Sequence, residues 1–357
     1  MINWILNHRS DILLFIVFSI GLQLTLIITL MGYAILNRIL QSRLRKRLEK
    51  KHNTWYKALF LFLEDEINAS DYQNLVLKKD YVYFGDFIKE FLLDIKGDEK
   101  SKIRDLLVEL NFDNYLLKKL NRRTTWERVY AIYFLGLMDC HKSISNIRDA
   151  LHDKSELVRL TAATNLMQVK DLESLETILI QMQTKTGKEY QNLLTVHLLE
   201  YGTSILKELE RIFRSIELSD WIRSICVQIF GYYVYTDVQD KVIEVYTATE
   251  DPELKISCIS ALATNEDPTL IDFFEQQLDH NNQSIVIASV KALGQLGIAT
   301  SARRLIEFVD SDDFWVAKNS IEALTQLGES GLKLLDEAAA SCNKQMNRDL
   351  ITEFTKQ

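Results

Sequence analysis

Val158-Arg159-Leu160-Thr161-Ala162-Ala163-Thr164-Asn165-Leu166 decides the fold. Its apolar or small residues fall at i, i+4, i+5 and i+8, one face of an α-helix. The frame returns at Ile222-Arg223 ahead of Cys226, Val227 and Phe230-Gly231, and at Leu254-Lys255 ahead of Cys258, Ile259, Ala261 and Leu262. It returns again from Ile285 through Ala292-Leu293-Gly294 to Leu296-Gly297, and from Val316 through Ala323-Leu324 to Leu327-Gly328. Looser copies run from Glu127-Arg128 to Leu135-Gly136 and from Tyr190 to Leu198. The periodic residues Leu135, Leu166, Leu198, Phe230, Leu262, Leu293 and Leu324 are 31 or 32 residues apart. A period that steady marks a tandem array of one structural unit. Small residues in the frame let a second helix approach, and glycine near the helix end accepts a left-handed turn that reverses the chain.

A second apolar-periodic stretch follows each first one, as at Leu172 to Met182, Ile205 to Phe213, Val238 to Tyr246, Leu270 to Leu278, Ala302 to Val309 and Leu332 to Ala338. Each unit is therefore two helices. With Val158-Arg159, Ala162-Ala163 and Leu166, and with Ala292-Leu293-Gly294 and Leu296-Gly297, the array resembles the HEAT family in its short bacterial form, the PBS-lyase HEAT-like repeat. The resemblance covers residues 123–340. Tetratricopeptide and ankyrin arrays use periods of about 34 and 33 residues with signatures absent here. The expected fold is all-α: an α-solenoid of about seven two-helix HEAT-like repeats, preceded by one transmembrane helix and a helical capping region. Two prolines and 12 glycines in 357 residues suit a helical chain.

The transmembrane expectation comes from residues 12–37, which carry no charge over 26 residues. About 20 apolar residues span a bilayer as a helix. Asp11 precedes the stretch; Arg38, Arg43, Arg45, Lys46, Arg47, Lys50 and Lys51 follow it. A signal peptide has its basic end leading and a small-residue cleavage site. Here the basic end trails, so the segment reads as a retained anchor with its basic side in the cytoplasm. This predicts a single-pass protein of the cell (inner) membrane, N-terminus out. The parts are an external stub at 1–11, the span at 12–37, a basic juxtamembrane segment at 38–53, a helical cap or docking region at 54–122, repeats at 123–340 and a C-terminal cap helix at 341–357. Gly21, Thr25, Thr29 and Gly32 share one face of the span and are candidates for packing against another membrane helix. Arg43, Arg45, Lys46, Arg47, Lys50 and Lys51 are candidates for lipid headgroup contact.

Charge excludes a class of partner. The chain carries −8 and residues 38–51 carry +6, which leaves −14 for residues 52–357, because residues 1–37 are neutral. An acidic body is unsuited to phosphate backbones, so no nucleic acid is expected. The four cysteines, Cys140, Cys226, Cys258 and Cys342, show no paired spacing, and Cys226 and Cys258 share a frame position as small core residues. The six histidines fall in no metal-ligand spacing, and no glycine-rich phosphate loop is present. No enzyme, cofactor, metal or small-molecule substrate is inferred. The frame cations Arg128, Arg159, Arg223 and Lys255 read as a ladder stacked against carboxylates of adjacent units, such as Asp153 or Asp251.

In solenoids of this family the second helices line the concave face, where partners bind. By the frame, the exposed candidates there are Arg148, Lys207, Arg211, Arg214, Lys241, Glu244, Glu275, Arg303, Arg304 and Glu307. Aromatic residues cluster at Trp126, Tyr130 and Tyr133, and at Tyr232, Tyr233 and Tyr235. The expected function is a membrane-anchored scaffold or regulatory subunit that binds a protein partner, itself membrane-associated, at the cytoplasmic face. The resemblance extends this to bacterial accessory subunits of membrane assemblies, such as an envelope or glycosyltransferase complex. The alternative is a signalling adaptor that recruits a soluble partner. A bilin lyase-like enzyme, implied by the repeat's name alone, is third.

Overall fold

The computed structural model describes residues 9–184, 188–342 and 344–355, and every regular element among them is helical. The stub expected at residues 1–11 lies mostly outside the described residues. The chain divides into two compact units, Met1–His141 and Lys142–Gln357.

The first unit is organised by one helix. Arg9–Leu63 (α1) runs unbroken for 55 residues, through both the uncharged stretch and the basic segment. No glycine or proline interrupts residues 33–63, so nothing in the sequence stops the helix there. From Phe18 it is long and apolar enough to cross a membrane, with an 18-residue window of mean hydropathy 1.8 of which none is buried. Its far end is core. Trp55, Ala58 and Leu59 are buried, as are Phe84, Phe87, Ile88 and Leu92 of Tyr81–Asp94 (α2), and Trp55 contacts Phe84 and Phe87. The Trp55 ring meets Phe84 edge-on at 5.4 Å, its Nε1 donates to the Leu75 carbonyl at 3.2 Å, and the Tyr72 hydroxyl donates to the Trp55 carbonyl at 3.0 Å. Lys51, one turn back, is ion-paired to Asp80 at 2.5 Å. The helices Asp98–Glu109, Phe112–Leu120 and Thr125–Leu137 complete the unit. Gly85 matters here because a Cβ would lie 2.0 Å from the Tyr130 hydroxyl, which donates to the Val82 carbonyl.

The second unit holds the array. First helices at Glu156–Gln168, Lys188–Glu200, Asp220–Tyr232, Pro252–Ala263, Gln283–Leu296 and Phe314–Gln326 alternate with shorter second helices. Among the second helices are Ile144–Ala150, Leu175–Met182, Leu206–Ser215, Gln239–Ala248 and Ile271–Gln277. The helix Thr125–Leu137 fits the same frame in sequence, so the unit boundary at 141/142 falls inside the first repeat. Gln345–Thr355 packs on both helices of the last repeat and buries Asn347 and Ile351.

The period has a backbone cause. Asp139, Lys170, Gly202, Val234, Glu266, Gly297 and Gly328 all have positive φ, between 50° and 68°. Each lies four residues after a periodic residue. Where the turn closes fully, the amide three residues past the last helical residue bonds the periodic residue's carbonyl. This is seen from Cys140 to Leu135 at 3.2 Å, Asp171 to Leu166 at 3.0 Å and Tyr235 to Phe230 at 2.9 Å. That is the bond of a Schellman turn. Each periodic residue thus fills the core with its side chain and closes the reversal with its carbonyl. The helix starts keep the same beat: Thr124, Ser155, Ser219, Asp251, Asn282 and Asp313 precede first helices. The last three accept N-terminal amides with their side chains, as N-cap residues do.

Val234 is the strained member. It is β-branched, has φ +51°, and is 52% exposed, so it gains little packing in return. Left-handed backbone costs a non-glycine residue roughly 1–2 kcal/mol, against roughly 0.5–1 kcal/mol of extra chain entropy for glycine. Val234→Gly is therefore expected to stabilise the second unit by about 0.5–1 kcal/mol, read as a raised midpoint in urea with unchanged slope. A lowered midpoint would mean the side chain packs better than its exposure indicates.

Candidate protein-binding surface

The second helices bring most of the nominated residues together, but in pairs. Arg148 bonds Asp171 bidentately, with Nε donating to Oδ2 at 2.8 Å, and also pairs with Glu173 of the next repeat. Arg211 reaches back to Glu176 at 2.6 Å and holds Glu208 at 2.6 Å. Arg214 reaches forward to both oxygens of Asp240, at 2.9 and 3.0 Å, and holds Glu210 at 2.9 Å. Arg304 pairs with Asp279 at 2.8 Å and Glu307 at 2.6 Å. Between the fourth and fifth repeats these links have no cation: Gln239 donates to Asp267 at 2.7 Å, and Tyr246 to Gln277 at 2.6 Å. Lys241 and Glu244 pair with each other at 2.7 Å. Seven of the ten candidates are therefore committed to a rung between or within repeats. Lys207, Glu275 and Arg303 make no ion pair among the described residues, and Lys207 and Arg303 are exposed.

The frame cations bond groups at the start of their own helices. Arg159 Nη1 donates to the carbonyls of Asp153 and Lys154, and Arg128 Nη1 to those of Arg122 and Arg123, each at about 3 Å. Arg223 pairs with Asp220 at 3.5 Å and Lys255 with Glu250 at 4.0 Å. These side chains fasten the loop that leads into their own helix. A ladder joining repeats stands on the second helices.

Asp171 shows how much one rung holds. Its side chain is only 8% exposed. Burial alone would raise its carboxyl pKa, yet the hydrogen bonds from Arg148 and Ser174 outweigh that and hold it below the usual carboxylate value. Arg148→Ala leaves this carboxylate with little water and no cation, at a cost of about 1–2 kcal/mol near pH 7, allowing for the partly exposed guanidinium. A depressed folded-state pKa contributes stability above the unfolded value of about 3.9, lost as pH falls through the folded one. The gap between wild type and Arg148→Ala in urea unfolding is expected to close as pH falls from the unfolded carboxylate value through the lower folded one. A gap that persists at low pH would assign Arg148 a packing role.

Of the six aromatic candidates, three are exposed. Tyr233 donates to the Leu199 carbonyl at 3.1 Å and Tyr235 to Glu210 at 2.7 Å, while Tyr130 is tied to Val82. Tyr133 is 37% exposed and lies edge-on against Phe134. Trp126 is 74% exposed and Tyr232 69%. Trp315, 57% exposed with Lys318 over its ring, was missed by composition. The frame would have found it, since Trp126, Leu157, Trp221 and Trp315 occupy one repeat position. Exposed aromatics favour protein interfaces.

Burial pushes the thiols of Cys226 and Cys258 up to about 12, which leaves them as unreactive core residues. Among the described residues no three His, Cys, Asp or Glu side chains converge as metal ligands. A groove of about 630 Å³ along Gln283–Leu296 and Phe314–Gln326 is lined by Lys291, Gln295, Asn319, Glu322 and Gln326 together with Gly294, Gly297 and Ala323, a mixed polar and apolar lining. On the membrane-candidate helix, the Thr25 and Thr29 hydroxyls donate to the carbonyls of Gly21 and Thr25. Arg43, Arg45, Lys46, Arg47 and Lys50 are exposed, and Lys51 is held by Asp80.

Residues 239–325 match the family described as HEAT repeats. No curated protein sequence matches the chain. Among solved structures, one describing Kap95p binding to RanGDP aligns over 80% of this chain and 45% of that one, at 13% identity and a TM-score of 0.52. The chain thus spans less than half the length of that protein, and the likeness is one of fold. YibA from E. coli aligns over 74% of this chain and 99% of its own, at 15% identity and a TM-score of 0.44. The complex of CpcE and CpcF of phycocyanin lyase from Nostoc sp. PCC7120 aligns over 70% and 92%, at 13% identity and a TM-score of 0.27. The array is a HEAT-like helical solenoid.

Proposed function

We propose that this chain is a membrane-anchored HEAT-like scaffold or regulatory subunit that binds a protein partner at the cytoplasmic face. One observation carries the proposal: the helix Arg9–Leu63 leaves a long apolar window wholly uncovered at one end and supplies the core of a folded unit at the other. An uncovered apolar surface of that size needs a lipid or protein cover, and the seven basic residues that follow it favour lipid with the folded units on the inner side. The solenoid supports partner binding because repeat arrays offer extended surfaces without dedicated catalytic chemistry. Arg303 and Lys207, with Trp126, Tyr133, Tyr232 and Trp315, are among the side chains the ladder leaves available. Confinement to the membrane raises the effective concentration of partners held there, which favours a membrane-associated partner, such as an envelope or glycosyltransferase complex, over a soluble one.

Fractionation tests the anchor. The full chain is expected to stay with membranes through a high-salt and alkaline carbonate wash and to be released by detergent. Release by carbonate alone would remove the spanning reading. The partner is tested by co-purification in mild detergent: a second membrane protein is expected, with Arg303→Glu lowering its recovery and the ladder intact. A lone chain after crosslinking in cells would instead favour the soluble-partner adaptor.

A further inference from the structure

We infer that Arg43, Lys46, Arg47 and Lys50 form a docking face for a helix of a different membrane protein, one that carries carboxylates just beyond its own membrane span. This rests on the anchored reading above. The four positions are i, i+3, i+4 and i+7 of one unbroken helix, so they share a face. All four are exposed, and none makes an ion pair among the described residues. Lys51, on another side, is already held by Asp80.

Height argues against lipid as the occupant. At 1.5 Å per residue from Asn37, Arg43 stands about 9 Å, Lys46 and Arg47 about 14 Å and Lys50 about 20 Å past the uncharged stretch. The headgroup layer adds about 5–7 Å per side, and charge is screened over about 8 Å in physiological salt. Headgroups therefore reach Arg38 and Arg43, fade at Lys46 and Arg47, and leave Lys50 outside. Charge argues against a second copy, because parallel copies on this face would set cation against cation.

Register points to a helix. Thr25 and Arg43, Thr29 and Arg47, and Gly32 and Lys50 are each 18 residues apart, which is five turns at 3.6 residues per turn. Small side chains in the bilayer and cations above it therefore lie along one line. With the threonine hydroxyls turned back onto their own helix, that line admits close approach of a neighbouring helix. A partner helix that follows it out of the membrane meets the four cations in turn.

The test uses the full chain in its own membranes, with a photo-crosslinking residue at position 50. The expected adduct is a heterologous membrane protein whose crosslinked segment, mapped by mass spectrometry, carries Asp or Glu next to its span. Arg47→Glu is expected to lower the adduct about threefold, while Arg45→Glu, the same charge change on the opposite face, leaves it within about 1.5-fold. Adducts to lipid only, to a second copy, to a segment without carboxylates, or none at all would overturn the inference, as would equal loss in both variants. Sedimentation with membranes is scored in parallel. A wild-type chain absent from that fraction would remove the anchored reading, whereas a membrane-bound chain without a face-dependent adduct would remove the docking face alone.

Discussion

Trp55→Ala is expected to cost the first unit about 3–5 kcal/mol, enough to unfold it at ordinary temperature if its stability is typical of a small domain. Trp55 is 1% exposed. Its ring contacts Phe84 at 5.4 Å, Phe87 at 5.7 Å and His52 at 5.6 Å, and its indole N–H satisfies the Leu75 carbonyl. Truncation empties the centre of the aromatic core and leaves that carbonyl unpaired. The surrounding rings cannot close over the space, because Tyr72 and Phe84 are themselves fixed by neighbours. Hydrogen exchange of the detergent-solubilised chain should show protection lost across residues 55–134 and kept across residues 220–326. Unchanged protection in the first segment would show that the unit does not depend on the end of α1.

Gly294→Val is expected to cost about 2–4 kcal/mol, with the loss confined to the last two repeats. A Cβ at Gly294 would lie 2.7 Å from the Ala323 Cβ and 2.8 Å from its Cα. One of those atoms is backbone, so no rotamer change relieves the clash; the helices Gln283–Leu296 and Phe314–Gln326 must separate. The same pairing occurs two repeats earlier, where a Cβ at Gly231 would lie 2.9 Å from the Ala261 Cα. Gly297→Ala is the informative companion. It has open space around it but φ +67°, so it should lose only about 1–2 kcal/mol, by strain. Equal midpoints for the two variants would mean that close approach does not limit this part of the array.

Much of the fold was legible because its signal is local and repeated. The frame around Leu166 and Leu293 reports helix, spacing and small-residue contact together. Glycines at 202, 297 and 328 announce a left-handed turn. Asp139, Lys170, Val234 and Glu266 adopt the same turn without announcing it, and only their frame position reveals them. The binding surface was less legible. Arg148 and Asp171 are 23 residues apart, Arg214 and Asp240 are 26, and Arg304 and Asp279 are 25. No window of sequence shows such pairs, so paired arginines read as free ones. Arg159 misled differently: its frame position was right, but its partners are backbone carbonyls, which composition does not display.

The unbroken run from Arg9 to Leu63 makes the first unit one end of a lever. Trp55 is 18 residues past Asn37, a lever arm of about 27 Å, so a change of about 10° in tilt carries the unit sideways by about 5 Å. Membrane helices answer changes in bilayer thickness by tilting. With residues 18–37 in a bilayer, as proposed above, a chain built this way would convert the state of the lipid into a displacement of the folded unit, with no glycine or proline between residues 33 and 63 to absorb it.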